Sequence, residues 1–273
     1  MRFTSAIQNH RWRDALTLVG ALIVCLVWAA PADAAAVWPS TWQAITVGGG
    51  DYTDPVGDEN PDSVDLIGGD DGSGSYTAGF WNVSVADDQL SLRMRVDADG
   101  AGSNNVWQFL FDTDGDTTTI DWVLEVRQSG SPSEKQVIFT QTATTGPDFN
   151  DVQLSSTFLW TGALADWSRW GAVTDGSNFD GDTDYFIDAA IPLSTFFNLA
   201  PVNGFRLALS TSTSHTQINK DEPLGLEATD PVSGGFGDYA DTPEPNTGAL
   251  TGLGLCILAA YSRATRTRRT ARV

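Results

Sequence analysis

The sequence that decides the fold is the stretch YTAGFWNVSVADDQLSLRMRV, residues 76–96. Its second half alternates, because apolar residues occupy positions 90, 92, 94 and 96 and polar residues occupy the positions between them. A period of two is typical of a β-strand with one buried face. An acidic pair, Asp87-Asp88, separates this strand from the run Tyr76–Val85, so the stretch predicts a β-hairpin.

Comparable short apolar runs recur on both sides of the hairpin. Further strands are predicted at Trp42–Val47, Val106–Phe111, Ile120–Arg127, Lys135–Gln141, Thr157–Trp160, Tyr185–Ile191 and Phe205–Ser210. The gaps between them hold Gly, Asp, Asn and Ser, which supply turn geometry. About nine strands at a spacing of roughly 8–12 residues predict an all-β fold, a single antiparallel, jelly-roll-like β-sandwich over residues 37–217. One helical turn is expected at Pro192–Leu199, where proline occupies the helix start.

The first 34 residues differ from this middle region. Three arginines precede the apolar run Ala15–Ala30, and the small-residue pattern Ala32-Asp33-Ala34 follows it. This order is the layout of a secretory signal, so residues 1–34 are expected to form a signal helix that signal peptidase removes. The alternative is an uncleaved membrane anchor, although the run is short for a membrane span, which needs about 20 apolar residues.

The C-terminal end carries a second apolar segment. An acidic stretch rich in Gly and Pro, residues 218–242, is predicted to be a flexible spacer, and Pro243, Glu244 and Pro245 follow it. The next residues are apolar and uncharged, which predicts a short transmembrane helix over 247–262. Five arginines then fall within the last eleven residues. An apolar segment closed by a basic cluster is a stop-transfer pattern that leaves the cluster in the cytoplasm.

The ordered set of Pro243-Glu244-Pro245, a short apolar span and an arginine-rich end resembles the PEP-CTERM sorting tail of exported proteins of Gram-negative bacteria. The resemblance covers residues 243–273. It implies that the inner membrane holds the exported protein until an exosortase cuts near Pro243-Glu244-Pro245. It also implies a final place on the outer surface or in the exopolysaccharide matrix.

Setting both ends aside changes the charge of what remains. The whole chain has a net charge of −20, whereas residues 37–242 carry seven basic and 32 acidic side chains, a net charge of about −25. Such self-repulsion destabilises a compact state unless cations neutralise part of it. The acidity also argues against a nucleic-acid partner, which requires a basic face. Both cysteines, Cys25 and Cys256, lie in the end segments, which excludes disulfides and thiolate metal sites from the middle region.

The strongest chemical motif is an acidic loop that follows the predicted strand Val106–Phe111. Asp112, Asp114 and Asp116 alternate around Gly115, and Asp121 follows shortly after. Oxygen donors at alternating positions with a glycine among them suit a loop that folds around calcium, which takes 6–8 oxygen ligands at about 2.3–2.6 Å. Position twelve of an EF-hand loop would be a glutamate but is Val123, so the motif predicts a calcium site between strands and not an EF-hand.

A second, similar motif precedes the strand Tyr185–Ile191. Asn178, Asp180, Asp182 and Asp184 again alternate around a glycine, and we regard them as a second candidate calcium site. The alternative for both motifs is a solvated Asp-Gly turn. A third acidic series could hold another ion, but its irregular spacing favours a disordered acidic face: Asp51, Asp54, Asp58, Asp65, Asp70 and Asp71.

Short patterns between residues 65 and 210 resemble the β-sandwiches of DOMON domains and family-9 carbohydrate-binding modules. The patterns are the strand Leu90–Val96, the run Phe109–Asp114 and the strand that ends in Ile191-Pro192. The resemblance implies structural calcium and sugar binding on aromatic faces.

Eight tryptophans lie in the middle region, and three of them cluster in one loop-like segment. Trp160, Trp167 and Trp170 are the candidate sugar platform, because flat rings pack against pyranose faces. The alternative is that these rings belong to the core, as Trp107 and Trp122 are expected to do.

The hypothesis from the sequence is therefore an exported, non-enzymatic protein of the surface or exopolysaccharide matrix, with calcium-stabilised loops and a role in carbohydrate binding. The rival is a structural or adhesion protein of the matrix without a glycan site. A hydrolase acting on glycosides is the third alternative, because acidic residues are plentiful, but no nucleophile or metal-protease motif is present.

Overall fold

Antiparallel β-structure dominates the computed structural model, which describes residues 35–100, 104–117, 119–145, 152–153, 157–181, 183–200, 204–218, 220–221 and 236–241. One large sheet has five strands in the order β1-β6-β7-β14-β13. Its strands are β1 (Gln43–Ala44), β6 (Gly79–Ser84), β7 (Gln89–Val96), β13 (Ser168–Ala172) and β14 (Tyr185–Pro192).

The other large sheet has six strands in the order β12-β10-β9-β8-β15-β17. Its strands are β8 (Val106–Asp112), β9 (Thr119–Arg127), β10 (Gln136–Thr145), β12 (Phe158–Ala163), β15 (Gly204–Ser212) and β17 (Ala240–Asp241). All pairings in both sheets are antiparallel, as the sequence predicts.

Short elements complete the described structure. Three two-residue pairs are β2 (Thr46–Val47) with β3 (Gly50–Asp51), β4 (Gly69–Asp70) with β5 (Ser75–Tyr76), and β11 (Val152–Gln153) with β16 (Gln217–Ile218). The helices are a 3-10 turn (Asp62–Val64), α1 (Leu164–Trp167) and α2 (Leu193–Leu199). Helix α2 confirms the predicted helical turn, with Pro192 immediately before it. The predicted strand Trp42–Val47 is instead divided, because β1 pairs with β6 and β2 pairs with β3.

The predicted hairpin is confirmed as β6 and β7, which pair from Gly79↔Met94 to Ser84↔Gln89. The apolar face of β7 is buried as expected. Its polar face differs from the expectation, since Arg95 is fully buried and Ser91 is 1% exposed. The cause is the central position of β7, which lies between β6 and β14 and is covered on its second face by other side chains.

One hydrophobic core contains side chains from both large sheets. Leu92 and Met94 of β7 belong to the same buried cluster as Phe109 of β8 and Phe139 of β10. Phe111 lies near its centre, with ring centroids 5.3–6.0 Å from three other phenylalanines. Trp107 and Trp122 are also buried in this core, which confirms their predicted role. Burying aromatic surface of this size contributes about 1.5–3 kcal/mol per side chain, so this cluster is a main source of stability.

Parts of the segment predicted as a spacer are built into the fold. Ile218 lies in β16 and is buried, and the backbone oxygen of Asp221 accepts a hydrogen bond from Thr211 N–H of β15. Ala240 pairs with Phe205 at the edge of the six-stranded sheet.

Several predicted segments lie outside the described residues. These are the signal peptide (1–34), the sorting motif Pro243-Glu244-Pro245 and the transmembrane helix (247–262). Within the part of the chain that the structure describes, no helix has the length and apolar character needed to cross a membrane.

Candidate functional site

The acidic loop predicted to bind calcium connects β8 to β9. Gly115 adopts φ +88°, a left-handed conformation that glycine accepts without strain, and this permits the tight turn. The Oδ1 atom of Asp112 accepts hydrogen bonds from the backbone N–H groups of Asp114 (3.2 Å) and Gly115 (2.7 Å). Asp121 Oδ2 accepts two more, at 2.7 Å each, from the backbone N–H and the hydroxyl of Thr113. The loop is therefore held by its own backbone.

Three of the four predicted ligands meet in this loop. Carboxylate oxygens of Asp112, Asp114 and Asp121 all lie within 4.8 Å of one another, whereas Asp116 is not part of this group. The second oxygen of Asp112 accepts a hydrogen bond from Arg206 Nη1 at 2.8 Å. We call this group the loop cluster. It can hold a hard cation, and part of its charge is already balanced by Arg206.

The second predicted motif, residues 178–184, has a different arrangement. Asp184 is fully buried, accepts a 2.6 Å hydrogen bond from the Ser177 hydroxyl, and lies 4.0 Å from Arg95. Burial raises the pKa of its carboxyl group. Asn178 and Asp180 are exposed, and Asp182 lies outside the described residues. Among the side chains that the structure describes, Asp184 is directed to Arg95 and does not join Asp180 in a group of acidic ligands.

The three candidate tryptophans do not form one exposed surface. Trp167 is 6% exposed and belongs to the core, where its ring meets Trp160 edge to face at 5.4 Å. Trp160 and Trp170 are half-buried and pack against the same core.

Another aromatic surface lies on the outer face of the five-stranded sheet. Arg93 of β7 is opposite Asp188 of β14, and two hydrogen bonds of 2.6 and 2.8 Å join them. The Arg93 guanidinium also lies over the rings of Trp42 (4.2 Å) and Phe186 (4.3 Å). Arg169 donates to the same Asp188 at 2.7 Å. We call this half-buried patch the outer-face ladder.

The Arg169 end of the ladder extends to the N-terminal segment. The Arg169 guanidinium lies 4.7 Å from the centroid of Trp38. Trp38 and Trp42 are both partly exposed. This patch was not predicted from the sequence, because Trp38 precedes the predicted strands, Trp42 begins one, and the two arginines lie on separate strands. The alternation in β7, which places Arg93 opposite the core face, was the available signal.

A further acidic group joins three members of the irregular acidic series to Asp221, a meeting that the sequence did not predict. Carboxylate oxygens of Asp54, Asp58 and Asp221 lie within 4.8 Å of one another, and Asp65 lies beside them. We call these four residues the buried cluster. Asp54 is 2% exposed and Asp65 is fully buried, so the expected disordered acidic face does not exist at these two positions. Only Asp58 is exposed.

The backbone around the buried cluster is well ordered by hydrogen bonds. Asp54 exchanges two backbone hydrogen bonds with Gly68, and Gly57 N–H donates to Asp65 Oδ2 at 2.7 Å. The backbone N–H of Leu66 donates to Asp221 Oδ2. These bonds bring together a loop before the hairpin and a segment after β15.

The electrostatic environment of the buried cluster is unfavourable for negative charge. Burial is the main cause that raises the pKa of Asp54 well above its ordinary value, and the charges of Asp221 and Asp58 raise it further. Burial likewise raises the pKa of Asp65 to about 8, against the opposing effect of the Gly57 hydrogen bond.

Comparisons of the chain with protein families, with curated proteins and with solved structures found no match. The assignment of function therefore rests on the chain's own residues.

Proposed function

We propose that this chain is an exported, non-catalytic β-sandwich of jelly-roll-like type that acts on the outer surface or in the exopolysaccharide matrix of a Gram-negative bacterium, with calcium bound in the loop cluster. The observation that most strongly supports calcium binding is that Asp112, Asp114 and Asp121 converge in a loop held by its own backbone. Calcium sites in extracellular modules are weak, with dissociation constants of about 10⁻⁴–10⁻³ M. A weak site suits a strongly acidic protein in a calcium-rich exterior.

Export and sorting form the second part of the proposal. Signal peptidase removes residues 1–34, and exosortase cuts near Pro243-Glu244-Pro245 after the inner membrane has held the chain. Mass spectrometry of the mature protein, from a host that has exosortase, tests this directly. We expect a C-terminus near residue 243 and, after substitution of Pro243, Glu244 and Pro245 by alanine, a chain that stays in the membrane. A mature protein that retains residues 246–273 contradicts this part of the proposal.

Calcium binding at the loop cluster is tested by a pair of variants in one loop. Asp114→Asn and Asp116→Asn remove the same charge, but only Asp114 belongs to the converging group. We expect Asp114→Asn to weaken calcium binding measured by titration calorimetry at least tenfold, because one of three anionic ligands is lost. We expect Asp116→Asn to keep the affinity of the unaltered protein within a factor of about two to three, since exposed charges interact weakly in water. Equal losses in the two variants contradict a site made by Asp112, Asp114 and Asp121.

Glycan binding is the second candidate function, and the outer-face ladder favours it. Partly exposed tryptophan rings beside arginine and aspartate offer both the flat apolar surface and the polar groups that a sugar ring needs. Trp38, Trp160 and Trp170 are all half-buried against the core, so what distinguishes the ladder is the group of polar side chains, Arg93, Arg169 and Asp188, beside its rings.

A glycan array compares the two surfaces. Trp38→Ala with Trp42→Ala removes the rings of the ladder, and Trp160→Ala with Trp170→Ala is the matched pair on the sequence-predicted platform. We expect the first pair to abolish polysaccharide binding and the second to preserve it. No glycan binding by the unaltered protein assigns it to the structural or adhesion class, and release of sugar products assigns it to the hydrolases.

A further inference from the structure

We propose that the buried cluster, Asp54, Asp58 and Asp221 with Asp65 beside them, is a second site for a hard divalent cation, and that calcium is the ion it fits best. The site is independent of the loop cluster, with which it shares no residue. It joins a loop before the central hairpin to the segment that follows β15.

The first line of evidence is the environment of the Asp54 carboxylate. Both of its oxygens are buried and have no hydrogen-bond partner among the described residues. Buried polar atoms in native proteins are nearly always paired, and leaving a charged one unpaired costs more than about 1–3 kcal/mol. Asp65 Oδ1 is in the same condition. The orphaned oxygens point to a positively charged partner.

The second line of evidence is that protein side chains do not supply that partner. Beyond its own burial, the largest influences on the Asp54 carboxyl group are the acidic side chains of Asp221, Asp58 and Asp65. Lys220 is near in sequence, but its ammonium group binds Glu59 Oε2 at 3.3 Å and the backbone oxygen of Asn60 at 3.0 Å. Within the part of the chain that is described, the cluster therefore has an excess of acceptors.

The third line of evidence is the fit between donor set and ion. Asp54 offers two free oxygens, and Asp58, Asp221 and Asp65 offer at least one each. Calcium takes 6–8 oxygens and accepts irregular geometry, with water completing the shell on the exposed side of Asp58. Two oxygens on one calcium are at most about 5 Å apart, since each bond is about 2.3–2.6 Å long. The three ligand atoms of Asp54, Asp58 and Asp221 lie within 4.8 Å of one another, which is compatible with this spacing.

The fourth line of evidence is rigidity. Asp54 is fixed by the backbone pair with Gly68. Asp221 is fixed because its backbone oxygen accepts a hydrogen bond from Thr211 N–H (2.9 Å) and its carboxylate accepts one from Leu66 N–H. Such a site loses little conformational freedom on binding the ion. The bound ion in turn cross-links the loop that contains Asp54 to β15 of the six-stranded sheet.

The test is calorimetric titration of the full chain with calcium chloride, in a background that removes the loop cluster (Asp114→Asn with Asp121→Asn). Asp58→Asn is the main variant, because Asp58 is exposed and its substitution does not disturb the core. Asp54→Asn is the second variant. Asp62→Asn is the matched control, since it removes an exposed aspartate from the same segment outside the cluster.

We expect the loop-cluster background to retain one calcium site, which Asp58→Asn weakens at least tenfold, Asp54→Asn abolishes, and Asp62→Asn leaves unchanged. The proposal is overturned if the background binds no calcium, or if the Asp58 and Asp62 variants bind it equally well. Loss of calcium binding in Asp114→Asn with Asp121→Asn overturns this inference and leaves the loop-cluster proposal intact. Conversely, an unchanged number of sites in that background overturns the loop-cluster proposal alone.

Discussion

The loop cluster and the buried cluster are made of the same residue type but differ in what surrounds their carboxylates. In the loop cluster, Asp112 and Asp121 accept hydrogen bonds from the backbone of their own loop, and Arg206 balances one charge. In the buried cluster, Asp54 accepts none, and its neighbours are other carboxylates. The difference teaches that donors, not the number of acidic residues, decide how strongly a site requires a cation. We therefore expect the loop cluster to depend less on a bound cation than the buried cluster does.

Removal of calcium from the unaltered protein gives the largest expected effect. At a calcium concentration about 100 times the dissociation constant, binding to the native state stabilises it by about 2.7 kcal/mol. For a domain of about 150–250 residues this corresponds to a fall in Tm of roughly 5–10 °C when EDTA replaces calcium. Differential scanning calorimetry measures the change, and magnesium at the same concentration is the control. An identical Tm in calcium and in EDTA contradicts a role for either cluster in stability.

The next largest effect is that substitutions of Asp54 and of Asp112 change the free energy of unfolding in opposite directions. In EDTA, Asp54→Asn is expected to raise the free energy of unfolding by about 1 kcal/mol, because an amide donates to the neighbouring carboxylates and carries no charge. Asp112→Asn is expected to lower it by about 1.5–3 kcal/mol, because hydrogen bonds to a charged group are lost. Urea unfolding of both variants in EDTA provides the measurement, with Asp62→Asn as the neutral control. If both substitutions lower the free energy of unfolding, the proposed difference between the loop cluster and the buried cluster is wrong.

The sequence predicted the loop cluster and missed the buried cluster for a physical reason. Asp112, Asp114 and Asp121 lie within ten residues and flank a glycine, so one turn is enough to bring them together. The meeting of Asp54 with Asp221 depends on the tertiary fold, because β15 and the segment after it carry Asp221 to the start of the domain. No local pattern reports such a contact.

The same distinction applies to the fold. Alternation in β7 predicted the hairpin and the core face correctly, because strand periodicity is a local property. It did not predict that Arg95 is fully buried, since that depends on the neighbours of β7 in the sheet and on Asp175, whose carboxylate lies 2.6 Å from Arg95.

Replacing Arg206 gives a smaller effect. It distinguishes the stabilisation of the loop cluster by the Arg206 guanidinium from its stabilisation by calcium. Arg206→Met leaves Asp112 without its ion-pair partner, and because Arg206 is partly exposed we expect a loss of up to about 1 kcal/mol in EDTA. Saturating calcium is expected to restore most of this loss, since the ion takes over the neutralisation of Asp112. Urea unfolding with and without calcium measures both effects, and Arg206→Lys is the control that keeps the charge. A loss that calcium leaves untouched indicates that Arg206 acts by packing alone.

His215 gives the smallest effect and, like Asp54, is a side chain whose polar atoms are buried without a hydrogen-bond partner among the described residues. Both ring nitrogens are buried without a hydrogen-bond partner in the described structure, but imidazole can become neutral by losing a proton. Burial and the charge of Arg127 lower the pKa of His215 below its ordinary value of 6.5, against the opposing effects of Glu125 and Glu134.

Below pH 6.5 the unfolded chain therefore binds a proton more readily than the folded one, so stability falls as the pH falls. Calcium has no part in this change, in contrast to the buried cluster. We expect the Tm of His215→Gln to rise relative to that of the unaltered protein when the pH is lowered from about 7.5 to about 5.5, and by the same amount in calcium and in EDTA. The raised pKa values of Asp54 and Asp65 act equally on both proteins, so they cancel in this comparison. A pH dependence that is identical with and without the imidazole contradicts a contribution of neutral, buried His215 to stability.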